Sequence, residues 1–233
     1  MKIISWNCNG AFRKKFDKIS SFDADVYVIQ ECEDPVRTND NKYKEWSDNH
    51  LWIGDSKNKG LGIFAKSDIK LQLLDWSNNF RDHSVKYFLP CTVNDKFQLI
   101  GVWTHRNNSP NFGYMGQFWK YLQTNLEYLE NTIIAGDFNS NAIWDQWDRW
   151  WNHSDVVGIL KQKEIESIYH LLTGEEQGSE KTPTFWLQKN AEKPYHIDYF
   201  FLSKEFQKPK TFKIEERSNW IEFSDHVPLI LEL

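Results

Sequence analysis

The chain has 233 residues, twelve of them Trp and three Cys, with a formal net charge of −5; that length supports a sizeable core without staples. Cys8, Cys32 and Cys91 are odd in number and form no CxxC pair, which argues against a zinc site or a disulfide framework and for a reducing compartment. No leader-like pattern opens the chain, no run nears the roughly 18 apolar residues of a membrane span, and the acidic total disfavours gripping a polyanion along the whole surface, so the expectation is a cytoplasmic monomer without a membrane partner.

In chain order, residues 2–7 read as a buried strand. Residues 11–22 carry Phe12, Phe16, Ile19 and Phe22 at helical spacing, with Arg13, Lys14, Lys15 and Lys18 between them. That basic set is either a solvated helix face or, because it begins just past Gly10, a patch beside a site. Residues 25–31 form a short apolar strand ending in an acid, and 33–49 read as a loop. Strands follow at 50–54, 60–65, 69–75, 85–93 and 97–104, separated by turn residues, as in an antiparallel meander. The clearest helix spans 113–130, with Met115, Phe118, Trp119, Leu122, Leu126 and Leu129 in one stripe. A strand at 132–135, a partly helical 141–170, a loop at 174–182 and strands at 184–187, 197–202, 210–215 and 228–233 complete the chain. No repeat or linker divides it, so residues 1–233 read as one α/β domain.

Several strands end in polar groups that a core strand has no reason to hold: Asn7 and Asn9, Glu31, His105, Asp137 and Asn139, and Asp225-His226 before the last strand. Each alone has an ordinary reading as a turn or cap residue. Asp198 does not, because it interrupts the apolar run Tyr195–Phe201, and a buried carboxylate must be paired or bind metal. Together they supply what magnesium-assisted phosphoryl hydrolysis needs: oxygen ligands, a carboxylate to orient water, and donors for phosphate oxygens. A bound metal reverses the local field, so an acidic total does not exclude a phosphate substrate.

Five segments, Ile4-Ser5-Trp6-Asn7-Cys8-Asn9-Gly10, Val28-Ile29-Gln30-Glu31, Ile134-Ala135-Gly136-Asp137-Phe138-Asn139-Ser140, His196-Ile197-Asp198-Tyr199-Phe200 and Ser224-Asp225-His226-Val227-Pro228-Leu229, resemble in order the signature segments of the endonuclease/exonuclease/phosphatase superfamily. The resemblance implies two packed mixed β-sheets flanked by helices, a four-layer sandwich, with a site at one edge. It implies Glu31 as the main ligand of magnesium, or of manganese in its place, with Asn9 and Asp225 near the ion. Asp137 would align the attacking water with Asn139. Asn7 would hold the phosphate or Asp137, and His226, oriented by Asp198, would contact the scissile phosphate. His105 stands where deoxyribonuclease-like and sphingomyelinase-like members carry His and abasic-site endonucleases carry Tyr. No role follows for His196, for which a strand position facing water is an ordinary reading.

Two stretches are candidates for choosing the substrate. In 143–153, Trp144, Trp147 and Trp151 share a face at helical spacing; either that face packs on the core, or the rings stack unpaired bases with Arg149 on backbone phosphates. In 105–114, Arg106 either clamps a second phosphate or is a solvated loop charge. A nuclease acting on DNA or RNA, single-stranded regions included, is the first expectation for function. A phosphatase or diesterase of small phosphorylated molecules or lipid headgroups is the second. A dead binding module fits poorly with the intact carboxylate set.

Overall fold

Successive strand residues point to opposite faces, and both faces of the central strands in this chain are apolar. In the computed structural model, which describes residues 1–107, 109 and 111–233, this pattern gives two six-stranded sheets. One has the order Thr211–Ile214, Leu229–Glu232, Lys2–Asn7, Val26–Cys32, Lys59–Ala65, His50–Ser56. The other runs Ile165–Ser167, Asp198–Ser203, Thr132–Asp137, Phe97–Trp103, Phe88–Val93, Leu71–Leu73. Each sheet is mixed. Lys2–Asn7 is parallel to Val26–Cys32, and Phe97–Trp103 is parallel to Thr132–Asp137; the flanking pairings are antiparallel.

The alternation sorts the core into layers. Ile3, Val26, Val28 and Ile63 of the first sheet share one buried cluster with Leu99, Ile133, Ala135 and Phe200 of the second. The intervening residues face outward. Ile4, Trp6, Tyr27 and Ile29 meet Phe12, Phe16, Tyr43 and Trp220, while Ile100, Ile134, Tyr199 and Phe201 meet Phe118, Leu122, Val156 and Leu160. Helices therefore cover both outer faces of the sheet pair, the four-layer α/β sandwich expected from the sequence.

Local departures have local causes. The helix expected over 11–22 splits into a 3-10 turn, Phe12–Lys14, and a short α-helix, Phe16–Ser20. Lys15 sits at the break, its Nζ donating to the carbonyls of Cys8 and Gly10 (2.7 and 2.8 Å). Residues 33–49 are not all loop: Asn41–Trp46 is helical, capped by Asp40, whose carboxylate accepts from the Tyr43 N–H at 3.1 Å. Nor is the strand run one meander, since Lys59–Ala65 and Leu71–Leu73 belong to different sheets. The long helix shortens to Met115–Asn125, followed by a 3-10 turn. Of the expected strand at 184–187 only Phe185–Trp186 forms, paired with Pro194–Tyr195.

Gly136 is a fixed requirement of the second sheet. Its φ is 153°, and a Cβ placed there would lie 1.8 Å from the Val102 carbonyl oxygen of the neighbouring strand. Gly136→Ala is expected to cost roughly 3 kcal/mol or more through overpacking and backbone strain. A urea unfolding curve checks this; a loss below 1 kcal/mol is the contrary result.

Candidate active site

At one end of the sandwich the inward stripe turns from apolar to polar. Ile3 and Ser5 lead to Asn7, Val26 and Val28 to Gln30, Ile133 and Ala135 to Asp137, and Leu202 and Phe200 back to Asp198. All four end residues are buried. Asn7 pairs with Gln30 across the parallel strands, and Asp137 lies directly opposite Asp198 across the antiparallel ones. Strand register thus sets two buried carboxylates side by side, and such a pair is tolerated only with donors or cations around it.

Those donors are present. Asp137 Oδ2 accepts from Asn7 Nδ2 (2.8 Å) and Asn139 Nδ2 (2.9 Å), and its Oδ1 accepts from the Asn139 N–H (2.8 Å). Asn139 adopts φ 44°, left-handed geometry that Asn tolerates, which brings its backbone and amide onto the same carboxylate. Asp198 Oδ2 receives the Thr184 hydroxyl at 2.7 Å and contacts His226 Nδ1 at 2.9 Å. The Thr184 oxygen in turn accepts the N–H groups of Ile197 and Asp198 (3.0 and 3.1 Å). His226 is anchored through its backbone. Its N–H donates to Ser224 Oγ (3.0 Å), its carbonyl accepts from the Trp6 indole (3.2 Å), and Ser224 donates to the Asn7 carbonyl (2.7 Å).

With Nδ1 committed to Asp198, His226 directs Nε2 towards Asp137, whose Oδ2 lies 4.0 Å away, too far for a hydrogen bond. Burial pushes the Asp137 carboxyl up to about 7, against the pull of the His226 imidazolium and with a further push from Asp198. For His226, burial favours the neutral ring, but the charges of Asp198 and Asp137 outweigh it and lift the ring to about 9. The two groups titrate as a pair.

The ligating atoms of Asp137, Asp198 and His226 lie within 4.8 Å of one another. Glu31 and Asp225 are outside that group, and the three residues expected from the sequence to hold metal are arranged differently. Glu31 sits on a β-bulge between Gln30 and Cys32 with φ 65°, half-buried, and its Oε2 is 2.6 Å from Lys59 Nζ. Asn9 is exposed at φ 52°. Asp225 is half-buried beside His226 and contributes to the rise of its pKa. Lys59, on the neighbouring hairpin, carries no motif that would reveal it in the sequence, and neither does Thr184.

His105 leaves the Phe97–Trp103 strand exposed, flanked by Tyr87 and Trp103. Arg106 is exposed and forms no ion pair among the described residues; Asn108 and Pro110 of the same stretch lie outside them. The Trp-rich segment corrects the sequence reading. It is no helix on the core: only Ala142–Trp144 forms a 3-10 turn, and the α-helix starts at His153. Trp144 is 44% and Trp147 97% exposed. Trp151 instead stacks on Phe112 at 4.0 Å, and Arg149 is exposed. His196 does not face water. It is buried, its Nδ1 lies 2.7 Å from the Thr182 carbonyl, and its Nε2 has no partner. Of the basic patch, Arg13 is paired with Glu33, and Lys18 lies over the Trp220 and Phe223 rings.

A model of the Endonuclease/Exonuclease/phosphatase family matches residues 4–226. No curated protein matches the sequence. Among solved structures, a 3′ phosphatase from Neisseria bound to product DNA hairpin has a TM-score of 0.73 at 18% identity, over 100% of this chain and 99% of that one. An AP endonuclease from Archaeoglobus fulgidus has 0.70 at 13% identity (99% and 98%). The catalytic domain of Xenopus laevis APE2 has 0.64 at 16% (99% and 91%). At these identities the likeness shows the fold.

Both pKa shifts in the site are upward. Each contributes stability that is complete below the unfolded value, about 4 for Asp and 6.5 for His, and is lost as pH climbs through about 7 for Asp137 and about 9 for His226. In chelator, the unfolding free energy is therefore expected to fall across this range. Asp137→Asn should flatten the part between pH 4 and 7 and, because the Asp137 charge also helps to raise His226, weaken the part above it without abolishing it, since Asp198 still faces the ring. A denaturation series that keeps the wild-type slope below pH 7 in Asp137→Asn would contradict the assignment.

Proposed function

The chain belongs to the Endonuclease/Exonuclease/phosphatase family, and from that premise we propose that it is a metal-dependent phosphodiesterase that cuts nucleic acid. Members of this family hydrolyse phosphoric esters. The observation that carries the finer reading is one geometry. A buried carboxylate, Asp137, is held by three amide donors and faces, across 4.0 Å, an imidazole fixed by a second carboxylate.

The residues fit a divalent ion of the magnesium type. Glu31, Asn9 and Asp225 offer oxygen donors, which suit a hard cation, and Glu31 already draws in a cation, the Lys59 ammonium. In this reading those three side chains would hold magnesium or manganese, which when bound supplies Lewis-acid stabilisation of charge on the phosphate. Asp137 accepts the proton of the attacking water; a pKa near 7 suits a base working near neutral pH. Asn7 and Asn139 fix the direction in which Asp137 accepts. His226 donates Nε2–H to a phosphate oxygen, and Asp198, which takes the Nδ1–H, holds the ring charged and in the orientation that allows it. His105 and Arg106, exposed at the same strand ends, take adjoining phosphate oxygens. The DNA hairpin bound to the Neisseria phosphatase supports a nucleic-acid substrate.

Asp137→Asn and His226→Ala are each expected to lower turnover by about 10²- to 10⁴-fold with folding preserved by circular dichroism. The assay is a panel of single- and double-stranded DNA and RNA, nucleotides, inositol phosphates and sphingomyelin with magnesium or manganese. Cleavage confined to one small molecule would replace the nuclease reading with the small-phosphoester one, and an active Asp137→Asn would remove Asp137 from its role. Lys59→Met, which takes away the competing ammonium, is expected to tighten Mn²⁺ binding several-fold in an EPR titration; unchanged or weaker binding separates Glu31 from the metal.

A further inference from the structure

Beyond Asp137 the chain builds a cleft that shares only Asn139 with the hydrolytic residues. Asn141 caps the 3-10 turn Ala142–Trp144 by accepting from the Ile143 N–H (3.0 Å), and its own amide is held by Glu180 Oε2 (3.0 Å) and the His196 carbonyl (2.9 Å). This anchor presents Trp144 opposite the loop that follows His105. A cavity of about 370 Å³ opens between them, lined by Tyr114, Asn139, Asn141, Trp144, Arg149 and Trp151 among others. That volume lies within the range of small-molecule sites, roughly 300–1,000 Å³.

Three features separate this cleft from an ordinary surface groove. Tyr114 and Trp144 are each 44% exposed, where large aromatic side chains are usually covered. Tyr114 is held at φ 52° and ψ −114°, a conformation unfavourable for a residue with a side chain. Its N–H donates to the His105 carbonyl at 2.9 Å, so the strained residue is tied to the strand end beside the site. The two loops are also fastened to each other, because Trp151 stacks on Phe112 and its indole N–H donates to the Asn111 carbonyl at 2.9 Å. Both walls therefore connect to the reaction centre, one through Asn139 on Asp137 and the other through Tyr114 on His105.

We propose that this cleft receives an unpaired nucleobase of the strand being cut, stacked against Trp144 and Tyr114, with the Arg149 guanidinium on the next phosphate. Aromatic faces beside amides match what a splayed base offers, a π surface and a polar edge. A base inside a duplex keeps its faces stacked on its neighbours and cannot offer a π surface to such a cleft, so the substrate class is single-stranded or locally unpaired nucleic acid. The inference rests on the phosphodiesterase reading of the adjoining site and adds to it the source of substrate preference.

The test compares a single-stranded oligodeoxynucleotide with an oligomer of equal length in which every nucleoside is a base-free tetrahydrofuran residue. The wild type is expected to favour the base-bearing strand in kcat/KM. Trp144→Ala and Tyr114→Ala should each shrink that preference by about tenfold or more, the scale of one lost base–aromatic stack, and Trp144→Phe should restore most of it. The same ratio is read as Kd by fluorescence anisotropy in the Asp137→Asn protein, which reports the cleft whether or not hydrolysis occurs. A ratio that Trp144→Ala and Tyr114→Ala leave unchanged in both measurements overturns the cleft assignment. Wild-type protein that binds the base-bearing strand selectively yet hydrolyses neither oligomer overturns the proposed reaction and leaves the cleft standing.

Discussion

Two carboxylates held side by side in the gap between the sheets are the constraint around which the rest of this structure is arranged. Asp137 and Asp198 are paired in register on neighbouring strands and buried. Left alone, two such charges would repel each other and pay heavily for lost water. The protein resolves this by giving them different surroundings. Asp137 is wrapped in amide donors, whereas Asp198 is given a hydroxyl and an imidazole. One acid is thereby ringed by amide N–H groups, and the other holds a ring in place.

A second buried polar network lies behind this centre and steadies its border. Glu180 accepts from Asn141 and from the Gly178 N–H, and contacts His170 Nε2 at 3.0 Å. Burial opposes its charge, yet these partners win and hold the Glu180 carboxyl down at about 2. The result is a charged latch under the chain that leaves Asn139. It keeps the 174–182 loop packed on Ala142 and Ile143, near enough that a Cβ on Gly178 would lie 3.3 Å from the Ala142 side chain.

Much of this was legible in the chain, and the limits of legibility are physical. Asn7, Asp137, Asp198 and His226 stand at strand ends within apolar runs, and period-two alternation places the first three on the inner stripe where they meet. Lys59 and Thr184 reach the site from hairpins whose sequences carry no signature; only folding brings them near Glu31 and Asp198. The Trp-rich segment misleads because three rings at helical spacing imitate an amphipathic helix. The signal that separates the two is Asn152 followed three residues later by Asp155, a capping box that starts the helix at His153 and leaves the tryptophans outside it. For His196 no local pattern separates a buried ring from an outward one, and its burial follows from the packing of Tyr169 and Tyr199 against it.

The indole of Trp6 reaching the carbonyl of His226 spans 220 positions of sequence, and the strand that carries Asn7 is flanked on one side by Leu229–Glu232. Synthesis runs from the N-terminus, so a nascent chain already holds Asn7, Glu31 and Asp137 long before it holds the imidazole. Until the final strand slots in beside the first, the two acids have no ring between them. The buried polar centre is therefore complete only once the Leu229–Glu232 strand has joined the Lys2–Asn7 strand.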